Sequence, residues 1–270
     1  MRLGIGSYAF PWAIGVPGYP SPEKPLGAMG LLKKAKALAA DVVQICDNLP
    51  LHNANKGELD ELRDAANDIG IRIQIGTRGI RPGHLLIYLE IAKLLGAKIL
   101  RTTINEPDLK PTIKQAAASI IDVLPKFAGA GISIALENHE SYRSRELVNL
   151  VEGIHSPNLG ICLDTVNSFG ALEGPEQTIT ELAPYALSLH VKDFDVVRVG
   201  NQMGFMIVGR PAGEGHLDIE WLFDRVLKEG KEPDAILELW TPFSDGVEDT
   251  IHKEEEWASR SMQFLRGKVG

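Results

Sequence analysis

The chain has 270 residues, a formal net charge of −8 and two cysteines. That length accommodates one α/β domain of about 250 residues, the negative charge works against a nucleic-acid partner, and two cysteines are too few for a disulfide framework. No apolar run approaches the ~18 residues of a membrane span, and the opening MRLGIGSYAF lacks the basic-then-apolar layout of a secretion signal, so the expectation is a cytoplasmic protein, off the membrane, with Cys46 and Cys162 reduced in the core.

Short β-branched runs alternate with longer amphipathic ones. The first strand is predicted over 2–7, followed by a Pro/Gly-rich loop over 11–25 that is too irregular for helix. A helix over 31–40 and a strand over 42–45 come next. The helix over 58–69 places Leu59, Leu62, Ala65, Ala66 and Ile69 on one face and stops at Gly70. The same two-beat unit continues with strand 71–75 and helix 85–95, closed by Gly96. Strand 98–103 is followed by helix 112–130, begun near Pro111 and closed by Gly131. Strand 132–137 leads to helix 145–153, strand 159–163 to helix 175–183, strand 186–191 to helix 219–229, and strand 235–239 to helix 251–265.

Eight β–α units predict a parallel sheet covered by helices. In a chain of this size they favour closure into a single (β/α)₈ TIM barrel domain spanning 1–270. A doubly wound sheet would carry a glycine-rich loop opening a helix after its first strand. G-I-G-S-Y-A-F-P opens no helix and lacks the third glycine. The longest interruption, 194–216, reads as a β-hairpin inserted after strand seven, with strands 196–199 and 205–208 flanking G-N-Q-M-G.

In such barrels the active site lies at the C-terminal ends of the strands. Glu137 ends strand five in A-L-E, Asp164 strand six in C-L-D, His190 lies in S-L-H on strand seven, and Glu238 in I-L-E on strand eight. Each follows apolar strand residues, where a lone charge is costly. Three converging carboxylates repel one another, and a divalent cation relieves this. Three oxygen donors and one imidazole suit one Mn²⁺, Co²⁺, Mg²⁺ or Zn²⁺ ion. The competing interpretation is four separate structural side chains, the carboxylates salt-bridged and the histidine satisfied in the core.

A-L-E-N-H, L-D-T-V-N-S, L-H-V-K-D, G-E-G-H-L-D and L-E-L-W, in this order, resemble the xylose isomerase-like barrel superfamily. That group holds sugar isomerases and epimerases, inosose-processing enzymes, 3-dehydroshikimate dehydratase and endonuclease IV. The resemblance implies a metal held by Glu137, Asp164, His190 and Glu238, with Glu137 and Glu238 also moving the substrate proton. It also implies a small sugar or cyclitol substrate. The chemistry is coherent: a metal chelated by a carbonyl and a neighbouring hydroxyl acidifies the α C–H, and a carboxylate on each side exchanges the proton. Isomerisation or epimerisation through an enediolate is the leading expectation. A lyase or dehydratase using the same first step is the alternative.

Further residues are expected near the rim. His139 is a candidate for a substrate hydroxyl, and Lys192 for a substrate oxygen or an ion pair with Asp193 or a metal ligand. Trp12 and Trp240 offer flat faces to a sugar. Asn167 stands where many relatives carry histidine, which favours hydrogen bonding without titration. The resemblance places a substrate arginine near Arg210. His216 and Asp218 are expected to cap the following helix. Arg101, Gln44 and Gln74 are lesser candidates, each able to face the barrel lumen from its strand. Endonuclease chemistry needs more histidines than V-G-R-P-A-G supplies. A homo-oligomer, with the hairpin over its own or a neighbour's site, is compatible with the sequence.

Overall fold

Eight parallel strands close into a barrel in the order β1-β2-β3-β4-β5-β6-β7-β10. The structure is a computed structural model that describes residues 1–200 and 203–269. The chain enters through β1 (Leu3–Gly6), a short α1 (Pro11–Ile14) and α2 (Ala28–Ala37). Three strand–helix pairs follow: β2 (Val42–Ile45) with α3 (Lys56–Ile69), β3 (Arg72–Arg78) with α4 (Pro82–Leu95), and β4 (Ile99–Thr103) with α5 (Ile113–Gly129). Next come β5 (Ser133–Glu137) with α6 (Ser144–Ile154), and β6 (Leu159–Asp164) with α7 (Pro175–Leu182). After β7 (Ala186–Val191) an antiparallel hairpin, β8 (Asp193–Arg198) and β9 (Phe205–Arg210), precedes α8 (Ile219–Lys228). The last pair is β10 (Asp234–Leu237) and α9 (Val247–Arg266).

The barrel and the hairpin insertion stand as the sequence predicts; Asn201 and Gln202 of the expected G-N-Q-M-G turn lie outside the described residues. Parallel strands are covered on both faces, which is why β2 and β6 are buried along their whole length. The helix ends follow local chemistry. Asn55 and Glu58 form a reciprocal capping box at the start of α3, and Gly70 and Gly96 close α3 and α4 in the left-handed conformation. Thr112 caps α5 through Gln115. Several helices begin earlier than their apolar period suggests. Pro82 opens α4 because a first-turn proline needs no hydrogen-bond partner. Among the described residues no helix is long and apolar enough to cross a membrane.

The segment expected to be irregular throughout, 11–25, contains α1. Its cap comes from the other end of the chain: Glu254 of α9 accepts the backbone N–H groups of Trp12 (2.9 Å) and Ala13 (3.1 Å). A partner 242 residues away leaves no local pattern to read. Burial pushes the Glu254 carboxyl up to about 8, against the lowering effect of those two backbone bonds. A carboxyl raised on folding stabilises the folded chain only while protonated, so its contribution is complete below the ordinary glutamate range and is lost as pH rises through about 8. Glu254→Gln is therefore expected to flatten the decline in melting temperature between about pH 5 and 8, gaining on the order of 3 kcal/mol relative to wild type at the alkaline end. Thermal melts of both proteins across that range check this, and parallel curves would contradict it.

Candidate active site

The four residues expected to converge do so around one atom. His190 Nδ1 lies 3.4 Å from Glu137 Oε2, 3.6 Å from Asp164 Oδ2 and 3.4 Å from Glu238 Oε1. The barrel register explains the meeting: Asp164 pairs with His190 across β6 and β7, and Glu238 directly follows β10, the other neighbour of β7. All four side chains are buried. His190 Nδ1 and Glu238 Oε1 have no hydrogen-bond partner, Asp164 Oδ2 meets only the Lys192 ammonium (2.7 Å), and Asp164, His190 and Glu238 each present a ligand atom within 4.8 Å of the others. Buried polar atoms left unpaired are costly. Here they point at one another, as a divalent ion requires, so the residues fit the metal that the sequence implies.

The lumen below fixes the histidine. Asp234 at the floor accepts Gln74 Nε2 (2.8 Å), Gln74 Oε1 accepts Gln44 Nε2 (3.0 Å), and Gln44 Oε1 accepts the Nε2–H of His190 (2.7 Å). A carboxylate can only accept, so Asp234 sets the direction of every amide above it. The column leaves Nδ1 facing the carboxylates. Gln44→Leu is expected to weaken metal binding about 10–100-fold. Gln44→Glu keeps an acceptor for His190 but sets a carboxylate oxygen against Gln74 Oε1, so it should recover only part of the loss; calorimetric titration with Mn²⁺ compares the two.

Two cations flank the carboxylates. Arg101 of β4, buried in the lumen, donates through Nε to Glu137 and through Nη1 to Asp47 (2.8 Å). Asn167 donates to the other Glu137 oxygen (2.7 Å). Burial pushes the Glu137 carboxyl up, but Arg101 and then His190 outweigh it and hold it below the usual carboxylate range. Lys192 Nζ lies 2.7 Å from Asp164 Oδ2 and 2.8 Å from Glu238 Oε2. Its pairing is with these carboxylates, not with Asp193, which instead accepts backbone N–H groups of Phe194, Gly213, Gly215 and Leu217. Burial likewise opposes the charge on Asp164, yet Lys192 and His190 hold its carboxyl far below the ordinary range.

A cavity of about 600 Å³ opens above this cluster and is lined by Glu137, Glu238, Lys192, His139, Asn167, Arg78 and Arg101. Burial lowers the pKa of His139 and favours its neutral form. Trp12 forms part of the wall, where it packs against Tyr19 and Phe243 with ring centroids 4.8 and 5.2 Å away, and its indole N–H donates to the Thr241 carbonyl (2.7 Å). Trp240 is half-exposed at the mouth. Gly209 of β9 approaches so closely that a Cβ there would lie 2.0 Å from the Trp240 carbonyl oxygen, which docks the hairpin against the chain leaving β10. Ile207 and Val208 thereby join the cavity wall.

Two expectations are corrected. Arg210 does not line this cavity; it is paired with Asp195 (2.9 Å). Alternation along the hairpin puts these two on one face as diagonal neighbours. Asp218 caps α8 by accepting Trp221 N–H (2.9 Å), but His216 turns to Asp195 (3.0 Å) instead of sharing the cap. Sequence reasoning missed Asp47, which bridges Arg101, Arg78 (3.3 Å) and the Tyr8 hydroxyl (3.0 Å). The signal was present: in V-V-Q-I-C-D an acid again follows an apolar strand.

The chain belongs to the xylose isomerase-like TIM barrel family, whose pattern it matches over residues 32–268. Over 98% of its length it is 35% identical to the 3-oxo-isoapionate decarboxylase of Pectobacterium atrosepticum, covering 95% of that protein. Solved structures of the same fold include D-psicose 3-epimerase from Clostridium cellulolyticum H10, with a TM-score of 0.76, 14% identity and coverage of 100% and 99% of the two chains. Another is a probable 3-DHS dehydratase from Bacillus anthracis, with a TM-score of 0.71, 14% identity and coverage of 98% and 99%. A relative of this chain is thus a decarboxylase, and its fold is shared by an epimerase and a probable dehydratase.

Proposed function

We propose that this protein is a divalent-metal-dependent decarboxylase of a 3-oxo sugar acid, with Glu137, Asp164, His190 and Glu238 as its metal ligands. The observation that carries this reading is the state of Glu137. Epimerisation with a base on each face asks this carboxylate to remove or return a carbon-bound proton. Both of its oxygens are engaged, one by Arg101 and one by Asn167, and its carboxyl is held below the usual range. An anion stabilised in this way is a poor base. Decarboxylation needs no C–H base. The bond between the carboxylate carbon and the carbon beside the ketone breaks, CO₂ leaves, and the electron pair moves toward the ketone oxygen. A proton then reaches the vacated carbon. The 35% identity to a decarboxylase of a 3-oxo acid supports the same reading.

A divalent ion held by the four ligands would supply positive charge for the developing enolate oxygen. The chain's own groups do the rest. Arg78 suits the acid's oxygens; Trp12 and Trp240 suit the apolar edge of the carbon skeleton. Lys192 borders the cavity with an ammonium that can return the proton. Asn167 keeps Glu137 anionic.

One observation favours a second reading. Glu238 Oε1 is unpartnered, and a 1,2-isomerisation of a ketose needs only one carboxylate to shuttle the proton. Incubating Mn²⁺-loaded protein with 3-oxo sugar acids and with ketoses in D₂O tests both. CO₂ release with one deuterium on the carbon that bore the carboxylate supports the decarboxylase. Deuterium exchange into a product of unchanged carbon number, without CO₂, would replace it by the isomerase.

A further inference from the structure

We propose that Lys192 is an exchangeable counter-ion for the metal: its ammonium holds Asp164 and Glu238 together in the metal-free protein and is expelled into the cavity when a divalent ion enters. The inference rests on the metal reading of Asp164, His190 and Glu238, not on which reaction follows.

The geometry sets up the competition. Lys192 Nζ is 2.7 Å from Asp164 Oδ2, the oxygen that also faces His190 Nδ1 at 3.6 Å. It is 2.8 Å from Glu238 Oε2, while Glu238 Oε1 faces His190 at 3.4 Å. The ammonium and the ion therefore draw on the same two carboxylates, and on one shared oxygen of Asp164. Metal–oxygen bonds of about 2.1 Å would bring the ion close to Nζ, where two positive charges repel.

Charge counting gives the direction. Glu137, Asp164 and Glu238 place three negative charges in the buried cluster, and Arg101 is held to Glu137 in the lumen. Without a metal, Lys192 is needed to limit the remaining repulsion. Asp47, which Arg101 also holds, is balanced by Arg78; the two charges of a divalent ion together with Arg101 then match the three carboxylates, and the lysine becomes surplus charge. The cavity gives it a destination, because Lys192 already lines that space. Metal loading and presentation of the ammonium to substrate are then a single event.

Lys192→Met removes the competitor. The expected result is a folded protein that binds Mn²⁺ at least about tenfold more tightly than wild type. Its metal-free form should melt at a lower temperature than wild type, and most of that loss should return on loading. An unchanged or weaker affinity in the folded variant overturns the proposal. No Mn²⁺ binding by wild type would overturn it too, and would identify the metal reading as the failed step. If Lys192→Met does not fold, lysine acylation of wild type, read by mass spectrometry, gives the answer. Faster modification of Lys192 after Mn²⁺ loading is expected, and equal protection with and without the ion refutes expulsion.

Discussion

Replacement of His190 by alanine is expected to abolish metal binding and turnover together while leaving the barrel folded. The imidazole is the one nitrogen donor among three carboxylates, with its Nδ1 3.4–3.6 Å from each. Without it, Asp164 and Glu238 lose the atom that completes their triad. Lewis-acid assistance is worth several kcal/mol, so turnover should fall by about 10³-fold or more. Burial removes the histidine from solvent, but the Asp234–Gln74 bond and the strand pairing on either side of β7 remain to support the barrel. Calorimetric titration with Mn²⁺ and circular dichroism on the same sample check the two halves. A folded variant that binds the ion as wild type does would remove His190 from the ligand set.

Replacing Arg101 by methionine should cost the most in stability. Its guanidinium is buried and serves Glu137, Asp47 and the Thr77 carbonyl at once. Methionine fills much of the space but strands two carboxylates beside other acids. Breaking a buried pair from one side typically costs about 3–5 kcal/mol, which for a chain of this size corresponds to a fall in melting temperature of roughly 10 °C. Lysine should recover only part of this, because a single ammonium cannot reproduce the fork that spans Glu137 and Asp47. Thermal melts of the three metal-free proteins provide the comparison. Added Mn²⁺ should narrow the gap, since the ion offers Glu137 another positive partner.

The barrel and the converging quartet were legible because both follow from local rules. Alternating strand and helix periods reveal eight units, and an acid or histidine after an apolar strand marks the C-terminal rim. What escaped depends on distance in sequence or on neighbours across strands. α1 owes its start to Glu254, and no window around Pro11 contains that residue. Arg210 looked available for substrate, but Asp195 on the facing strand claims it. Asp47 obeyed the same rule as Glu137 and Asp164 and was readable in principle. Gln44 and Gln74 were placed correctly in the lumen. Their directional role appears only once Asp234, at the start of β10, closes the column beneath them.

The hairpin is joined to the barrel in a way that bears on how this scaffold can change. Its cavity-facing part, Ile207 to Gly209, seats against Trp240, whereas the four converging side chains stand on the barrel framework itself. The hairpin's share of the cavity wall and the converging quartet thus sit on separate pieces of chain. A lineage can rewrite the insertion, length and side chains alike, and offer a new molecular outline to the same reactive centre. The delicate charge balance beneath need not be solved again. The glycine at the seam is held fast, because any side chain there would prise the two modules apart.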